Sequence, residues 1–129
     1  MKKNAQILIM SILFISCAST NTTSENGNNI TTDDTYGYTE KNPIKVGGGE
    51  NGPLNERKYL NSLTGPNGEK VSYERGGSCC AFSTRNSPFG GGLLDIYSVT
   101  YEGKRDTVTL YLNMYDKAKL KAPVGFKMK

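Results

Sequence analysis

The chain of 129 residues contains no histidine and no tryptophan, and it has only three cysteines. The absence of histidine excludes Ser-His-Asp and Cys-His catalysis and removes the most common general base. The adjacent pair Cys79-Cys80, without histidine or further cysteines beside it, cannot complete a tetrahedral zinc site within one chain. The sequence therefore predicts no catalytic residues, no bound metal and no cofactor.

Concentrated charge of one sign is also missing. The chain has 16 basic and 12 acidic residues, and Lys2 and Lys3 account for two of its four excess positive charges. A protein that binds nucleic acid usually has a dense basic patch with stacking aromatic residues, so we predict no nucleic-acid partner. The mild basic excess at the end of the chain is interpreted as a solvated face, or as one lying near anionic lipid headgroups. Its lysines are Lys117, Lys119, Lys121, Lys127 and Lys129.

Two glycine-rich segments, residues 47–52 and 90–92, could be mistaken for phosphate-binding loops. Neither carries the terminal Gly-Lys-Ser/Thr of such a loop. Glycines at these positions instead permit tight turns with positive φ. Four charged residues flank glycine-rich segments and could line a small anion site, although each also fits an ordinary surface or turn position. They are Arg57, Arg75, Arg85 and Asp95.

The N-terminus has the pattern of an export signal. Lys2 and Lys3 precede an apolar run over residues 5–15, and Ser16 precedes Cys17. The run is about half the roughly 20 residues that a bilayer-spanning helix needs. A cysteine directly after a small residue predicts a bacterial lipoprotein signal, with lipidation at Cys17 and removal of residues 1–16. The alternative is an ordinary signal peptide cleaved near Ala18-Ser19.

Composition divides the rest of the chain into a tether and a domain. Residues 18–34 consist largely of Ser, Thr, Asn and Gly, so we predict a disordered polar tether over residues 17–39. Residues 40–129 then form one small domain. Ala18 rather than Asp after the lipidated cysteine favours an outer-membrane location, and the lack of an adjacent acidic cluster favours the periplasmic face.

The domain is predicted to be α+β, with a small, mostly antiparallel sheet, a C-terminal β-hairpin and one short helix. Alternating residues over 93–101 and 107–115 predict the hairpin, with Val108, Leu110, Leu112 and Met114 on its buried face. On the first of these strands, Tyr97 and Val99 are candidates for the buried side, together with Tyr101.

Two shorter elements are predicted before the hairpin. A helix runs from Glu56 to about Leu63, with Asn55 as its N-cap and Glu56 beside the positive end of the helix dipole. A strand covers residues 70–74, and Gly76-Gly77 interrupts it.

The adjacent cysteines Cys79 and Cys80 are the one group of residues in the sequence with obvious chemical reactivity. In an oxidising compartment adjacent cysteines can close an eight-membered ring, remain free, or bond to another chain. The pair is a candidate disulfide or redox pair, and a soft-metal site that adds a methionine is a further alternative. The alternative is a purely structural role, in which the two cysteines are small, half-buried residues on a bent strand.

Six blocks of sequence resemble those of a known family, a group of short lipoproteins of flavobacterial type whose function is unknown. The resemblance covers nearly all of residues 36–126 and implies a lipid-anchored envelope protein. Some members carry the label 2-dehydro-3-deoxyphosphooctonate aldolase, but that enzyme is similar to a TIM barrel of roughly 250 residues and acts on cytoplasmic substrates. The blocks are Tyr36–Gly48, Gly52–Arg57, Leu63–Gly68, Gly77–Phe82, Gly92–Asp95 and Leu110–Asp116.

These observations leave three hypotheses. The first is a lipid-anchored cell-envelope protein with a non-enzymatic binding or structural role, attached to the membrane through its N-terminal lipid and contacting an envelope protein or glycan. The second is a thiol-redox or soft-metal-binding envelope protein that uses Cys79 and Cys80. The third is a small hydrolase or lyase that uses carboxylates and tyrosine.

Overall fold

A computed structural model describes residues 29–129. The predicted signal peptide, Cys17 and most of the predicted tether lie outside these residues. A four-stranded sheet has the order β1-β5-β4-β3, in which β1 runs parallel to β5 and the other neighbours are antiparallel. Its strands are β1 (Ile44–Lys45), β3 (Val71–Ser83), β4 (Gly91–Tyr101) and β5 (Val108–Asn113).

A helix and a second, smaller sheet complete the fold. Helix α1 (Gly52–Ser62) leads directly into β2 (Leu63–Thr64), which pairs antiparallel with β6 (Lys127–Met128). The predicted α+β class, with one short helix and a mostly antiparallel sheet, is therefore confirmed. The predicted hairpin is formed by β4 and β5 and is followed by a further segment that ends in β6.

The core lies on one face of the four-stranded sheet. Alternation puts Tyr97 and Val99 of β4 beside Leu110 and Leu112 of β5, and all four side chains are buried. The alternating pattern predicts these four residues, and the other three that it predicts are only partly buried against the core: Tyr101, Val108 and Met114. The other members of the core come from β1 and the residue after it, the helix, β2 and the C-terminal segment: Ile44, Val46, Tyr59, Leu60, Leu63, Ala122 and Phe126.

The helix begins earlier than the sequence predicts. Asn51 is the N-cap residue and Pro53 lies in the first turn, where its fixed φ fits a helix and its missing N–H needs no partner. Asn55 is therefore inside the helix, and its side-chain amide donates to the carbonyl of Gly47 at 3.1 Å. Glu56 points into the core and is fully buried, so its proposed role at the helix terminus is wrong.

Strand β3 is longer than predicted. It runs through Gly76-Gly77 without a break, because register shifts between Arg75 and Gly77 and between Cys79 and Ala81 absorb the extra residues as bulges. The folded part also begins before residue 40. The backbone N–H of Thr31 donates to Ala122 and that of Gly37 donates to Asn42, so residues 31–39 pack against the domain instead of forming tether.

Candidate functional site

Cys79 and Cys80 are bonded to each other within β3. Both side chains are partly exposed, and β3 is an edge strand in the described part of the sheet. Cys80 has φ of 63°, the left-handed conformation that non-glycine residues rarely adopt. The bonded pair therefore lies at a bulge, where the strand changes register against β4.

A buried acidic residue lies beside this bulge. Asp95 of β4 is 3% exposed and accepts from Nε and Nη2 of Arg75, at 3.2 and 3.0 Å. The Ser78 hydroxyl donates to the same carboxylate at 2.7 Å. Burial raises the pKa of Asp95, but the hydrogen bonds from Arg75 and Ser78 outweigh it and hold the pKa below its ordinary value. Asp95 is therefore a carboxylate at neutral pH.

Glu56 of the helix extends this cluster into the core. The hydroxyl of Tyr97 donates to Glu56 Oε2 at 2.9 Å, whereas Oε1 accepts no hydrogen bond from the described residues. Burial, with a smaller contribution from Asp95, raises the pKa of Glu56 to about 7. In its protonated form the Glu56 carboxyl can donate to Asp95. We call these five residues the acid cluster: Glu56, Arg75, Ser78, Asp95 and Tyr97.

The acid cluster joins the helix to the sheet. Its two carboxyl groups are almost fully enclosed, and each already contacts donors from the chain. The arrangement can take up and release one proton near neutral pH, and it fixes the helix over strands β3 and β4.

The far end of the β3–β4 hairpin forms a second candidate site. We call residues 81–93 the distal arm, which comprises the end of β3, the connecting loop and the start of β4. Phe89 in the loop is 95% exposed, and Leu93 at the base of the loop is 48% exposed. An aromatic ring so fully in water contributes nothing to the core, which makes it a candidate contact for a partner.

The loop that presents Phe89 is held in place by Asp116, which follows β5. The buried Thr84 hydroxyl donates to Asp116 Oδ1, and the Asn86 amide donates to the same oxygen at 2.9 Å. Asn113 donates to Oδ2 at 3.0 Å. These hydrogen bonds lower the pKa of Asp116, the one from Thr84 most. An open depression of about 560 Å³ lies at this position, lined by Ser83, Thr84, Arg85, Asn86, Gly90 and Asp116.

The four candidates for an anion site do not form one site. Asp95 pairs with the guanidinium of Arg75, whereas Arg85 lies in the distal arm and Arg57 is exposed on the helix. Among residues 29–129, no three Cys, Asp or Glu side chains are grouped closely enough to hold a metal ion.

The one α-helix of the described residues is too short to cross a membrane.

Two features of these sites were missed from the sequence. Glu56 precedes Tyr59, Leu60 and Leu63 at helical spacing, so it lies on the same face of the helix as these apolar residues. A charged residue on an otherwise apolar face is the pattern that could have identified it as buried. Phe89 stands between Pro88 and Gly90, where an aromatic residue has no strand or helix to pack within. Comparisons of the chain with protein-family models, with curated proteins and with solved structures found no match.

Proposed function

We propose that the chain is a lipid-anchored cell-envelope protein that binds an envelope protein through its distal arm. The observation that carries the binding role is the exposure of Phe89 on a loop fixed by hydrogen bonds. A rigid loop loses little conformational entropy on association, and a large aromatic side chain supplies contact area with few rotatable bonds. Leu93 widens the apolar contact at the base of the loop.

The anchoring part of the proposal rests on the N-terminal sequence. Lys2, Lys3, the apolar residues 5–15 and Ser16-Cys17 together support export and lipidation at Cys17. Ala18 supports an outer-membrane location, and the lack of an acidic cluster directly after Cys17 supports the periplasmic face. Intact mass spectrometry of protein extracted from membranes tests this part. We expect loss of residues 1–16 and a gain of acyl mass, both absent in Cys17→Ser. An unlipidated chain that begins after Cys17 would contradict it.

Site-specific photocrosslinking in cells tests the binding part. A photoreactive amino acid at Pro88, which is exposed next to Phe89, should give a discrete adduct with one envelope protein. The matched control carries the same amino acid at Leu54, an exposed position on the helix. Equal adducts from both positions would contradict binding by the distal arm. Adducts with glycan instead of protein would replace the proposed partner class.

A thiol-redox role at Cys79-Cys80 is the second candidate. The observation that favours it is the partly exposed bond between these residues on an edge strand. A soft-metal role would require reduction first, because bonded sulfur atoms offer no thiolate to a metal. Cys79→Ser and Cys80→Ser should each abolish a redox function while the domain stays folded. Loss of folding in both variants would instead favour a structural role for the bond.

A further inference from the structure

We propose that Cys79–Cys80 is a site of reversible reduction by an external dithiol, and that opening this bond loosens the distal arm. The inference rests on the second candidate function for its chemistry and adds a consequence for the rest of the molecule. It does not depend on what the distal arm binds.

The position of the bond makes it accessible. Both cysteines are partly exposed, and β3 forms the outer edge of the described sheet, so no neighbouring strand covers them from that side. A thiolate must approach a disulfide sulfur directly for exchange to occur. A bond in the core would not permit that approach.

The bond also fixes the backbone where the distal arm joins the domain. The ring includes the peptide link between Cys79 and Cys80, and it holds Cys80 in the left-handed conformation with φ of 63°. For a residue with a side chain this conformation is unfavourable and persists only where the surroundings impose it. Once the ring opens, Cys80 can return to an extended conformation. The register shift between Cys79 and Ala81 then loses its constraint.

A dithiol as the co-reactant supplies the electrons and protons that reduction of the Cys79–Cys80 bond requires. One thiolate of the dithiol attacks a sulfur of the Cys79–Cys80 bond and forms a mixed disulfide, while the other cysteine leaves as a thiolate. The second thiol of the co-reactant then displaces the bound cysteine. Two electrons and two protons pass to Cys79 and Cys80, which become free thiols, and the dithiol becomes a disulfide.

Other contacts limit how far the distal arm can move. The rings of Phe82 and Tyr115 meet edge to face with centroids 5.9 Å apart, and Thr84 donates to Asp116. Neither contact involves Cys79 or Cys80, so we expect both to remain after reduction. We therefore expect local loosening in the reduced protein, and a larger effect when the hydrogen bond to Asp116 is also removed by Thr84→Val.

Hydrogen exchange of the folded protein, with and without dithiothreitol, tests the inference, and alkylation with mass detection counts the free thiols. We expect two thiols to appear and backbone amides of residues 81–84 and 91–93 to exchange at least about tenfold faster, with the core strands unchanged. Thr84→Val should enlarge the increase. Cys79→Ser/Cys80→Ser, treated in parallel, should not respond to the dithiol.

Three outcomes would overturn the inference. If the dithiol releases no thiols, both the inference and the second candidate function fail. If two thiols appear while exchange in the distal arm stays the same, the redox function stands and the loosening is wrong. If exchange rises equally in the core strands, the bond stabilises the whole domain and does not control the distal arm.

Discussion

Tyr97 and Glu56, 41 residues apart in the chain, meet in the core through a 2.9 Å hydrogen bond from the tyrosine hydroxyl to Glu56 Oε2. The bond joins the middle of strand β4 to the buried face of the helix. It also stabilises the ionised form of a carboxyl whose burial favours the protonated form. The stability of the domain should therefore depend on pH in a way that the acid cluster determines.

The wild-type protein should become less stable as pH rises, and the Glu56→Gln variant should not. The pKa of Glu56 is about 7 in the folded protein against an ordinary 4.5. The folded state therefore keeps a proton that the unfolded state releases, and stability falls between pH 4.5 and 7. This shift corresponds to about 3 kcal/mol. A glutamine amide can donate to Asp95 and accept from Tyr97, so the variant should gain up to that amount over wild type by pH 8.

Urea unfolding between pH 4 and 8 measures this difference. Glu50→Gln, on the exposed turn before the helix, is the matched control and should follow the wild-type profile. The pKa of Asp95 is lowered from its ordinary value of 3.8, so its stabilisation is lost only as pH falls below about 3.8, outside the measured range. Parallel profiles for Glu56→Gln and wild type would show that folding does not raise the pKa of Glu56.

Tyr97→Phe should destabilise the domain by about 1–3 kcal/mol at pH 8, because it leaves the Glu56 carboxylate buried without its donor. The hydroxyl of Tyr97 lowers the pKa of Glu56, so its removal should raise that pKa further. The loss of stability would then continue to a higher pH than in wild type. Tyr73→Phe is the control, since the Tyr73 hydroxyl donates to Asn61 at the surface, and we expect less than about 1 kcal/mol there. Equal losses in both variants would contradict the prediction.

Arg75→Met should destabilise the domain by about 1–3 kcal/mol at neutral pH, since it leaves Asp95 buried without its charged partner. We place the effect below that of a fully buried pair because half of the Arg75 side chain is exposed and water screens the interaction. Arg75→Lys should recover only part of the loss, because lysine cannot donate to both carboxylate oxygens as Nε and Nη2 do. Thermal unfolding distinguishes the two variants: full wild-type stability in Arg75→Lys would show that only the charge matters, and an equal loss in both variants would contradict the expected partial recovery.

The sequence predicts the sheet core better than the sites. Strict alternation from Val108 to Leu112 determines which residues face inward, since a strand side chain has only two faces to choose from. The full length of β3 was not predictable from the sequence, because a pair of glycines such as Gly76-Gly77 usually indicates the end of a strand. Only the pairing with the neighbouring strand shows that the extra residues form bulges. The acid cluster depends on contacts between residues far apart in the chain. No local pattern connects Glu56 with Asp95.

Phe89→Ala should leave the stability of the domain within about 0.5 kcal/mol of wild type, because the ring is exposed and packs against nothing in the core. Thermal unfolding measures this directly. A larger loss would show that Phe89 has a structural role, and the proposed partner contact would then lose its main support. The result also establishes that the variant is folded and suitable for binding experiments.

The most direct test of the proposed function is the yield of the photocrosslinked adduct from Pro88 in two variants. Phe89→Ala should abolish the adduct with the envelope protein, whereas Leu54→Ala, which removes an exposed leucine on the helix, should leave it unchanged. Retention of the adduct at wild-type yield in Phe89→Ala would contradict binding through the distal arm.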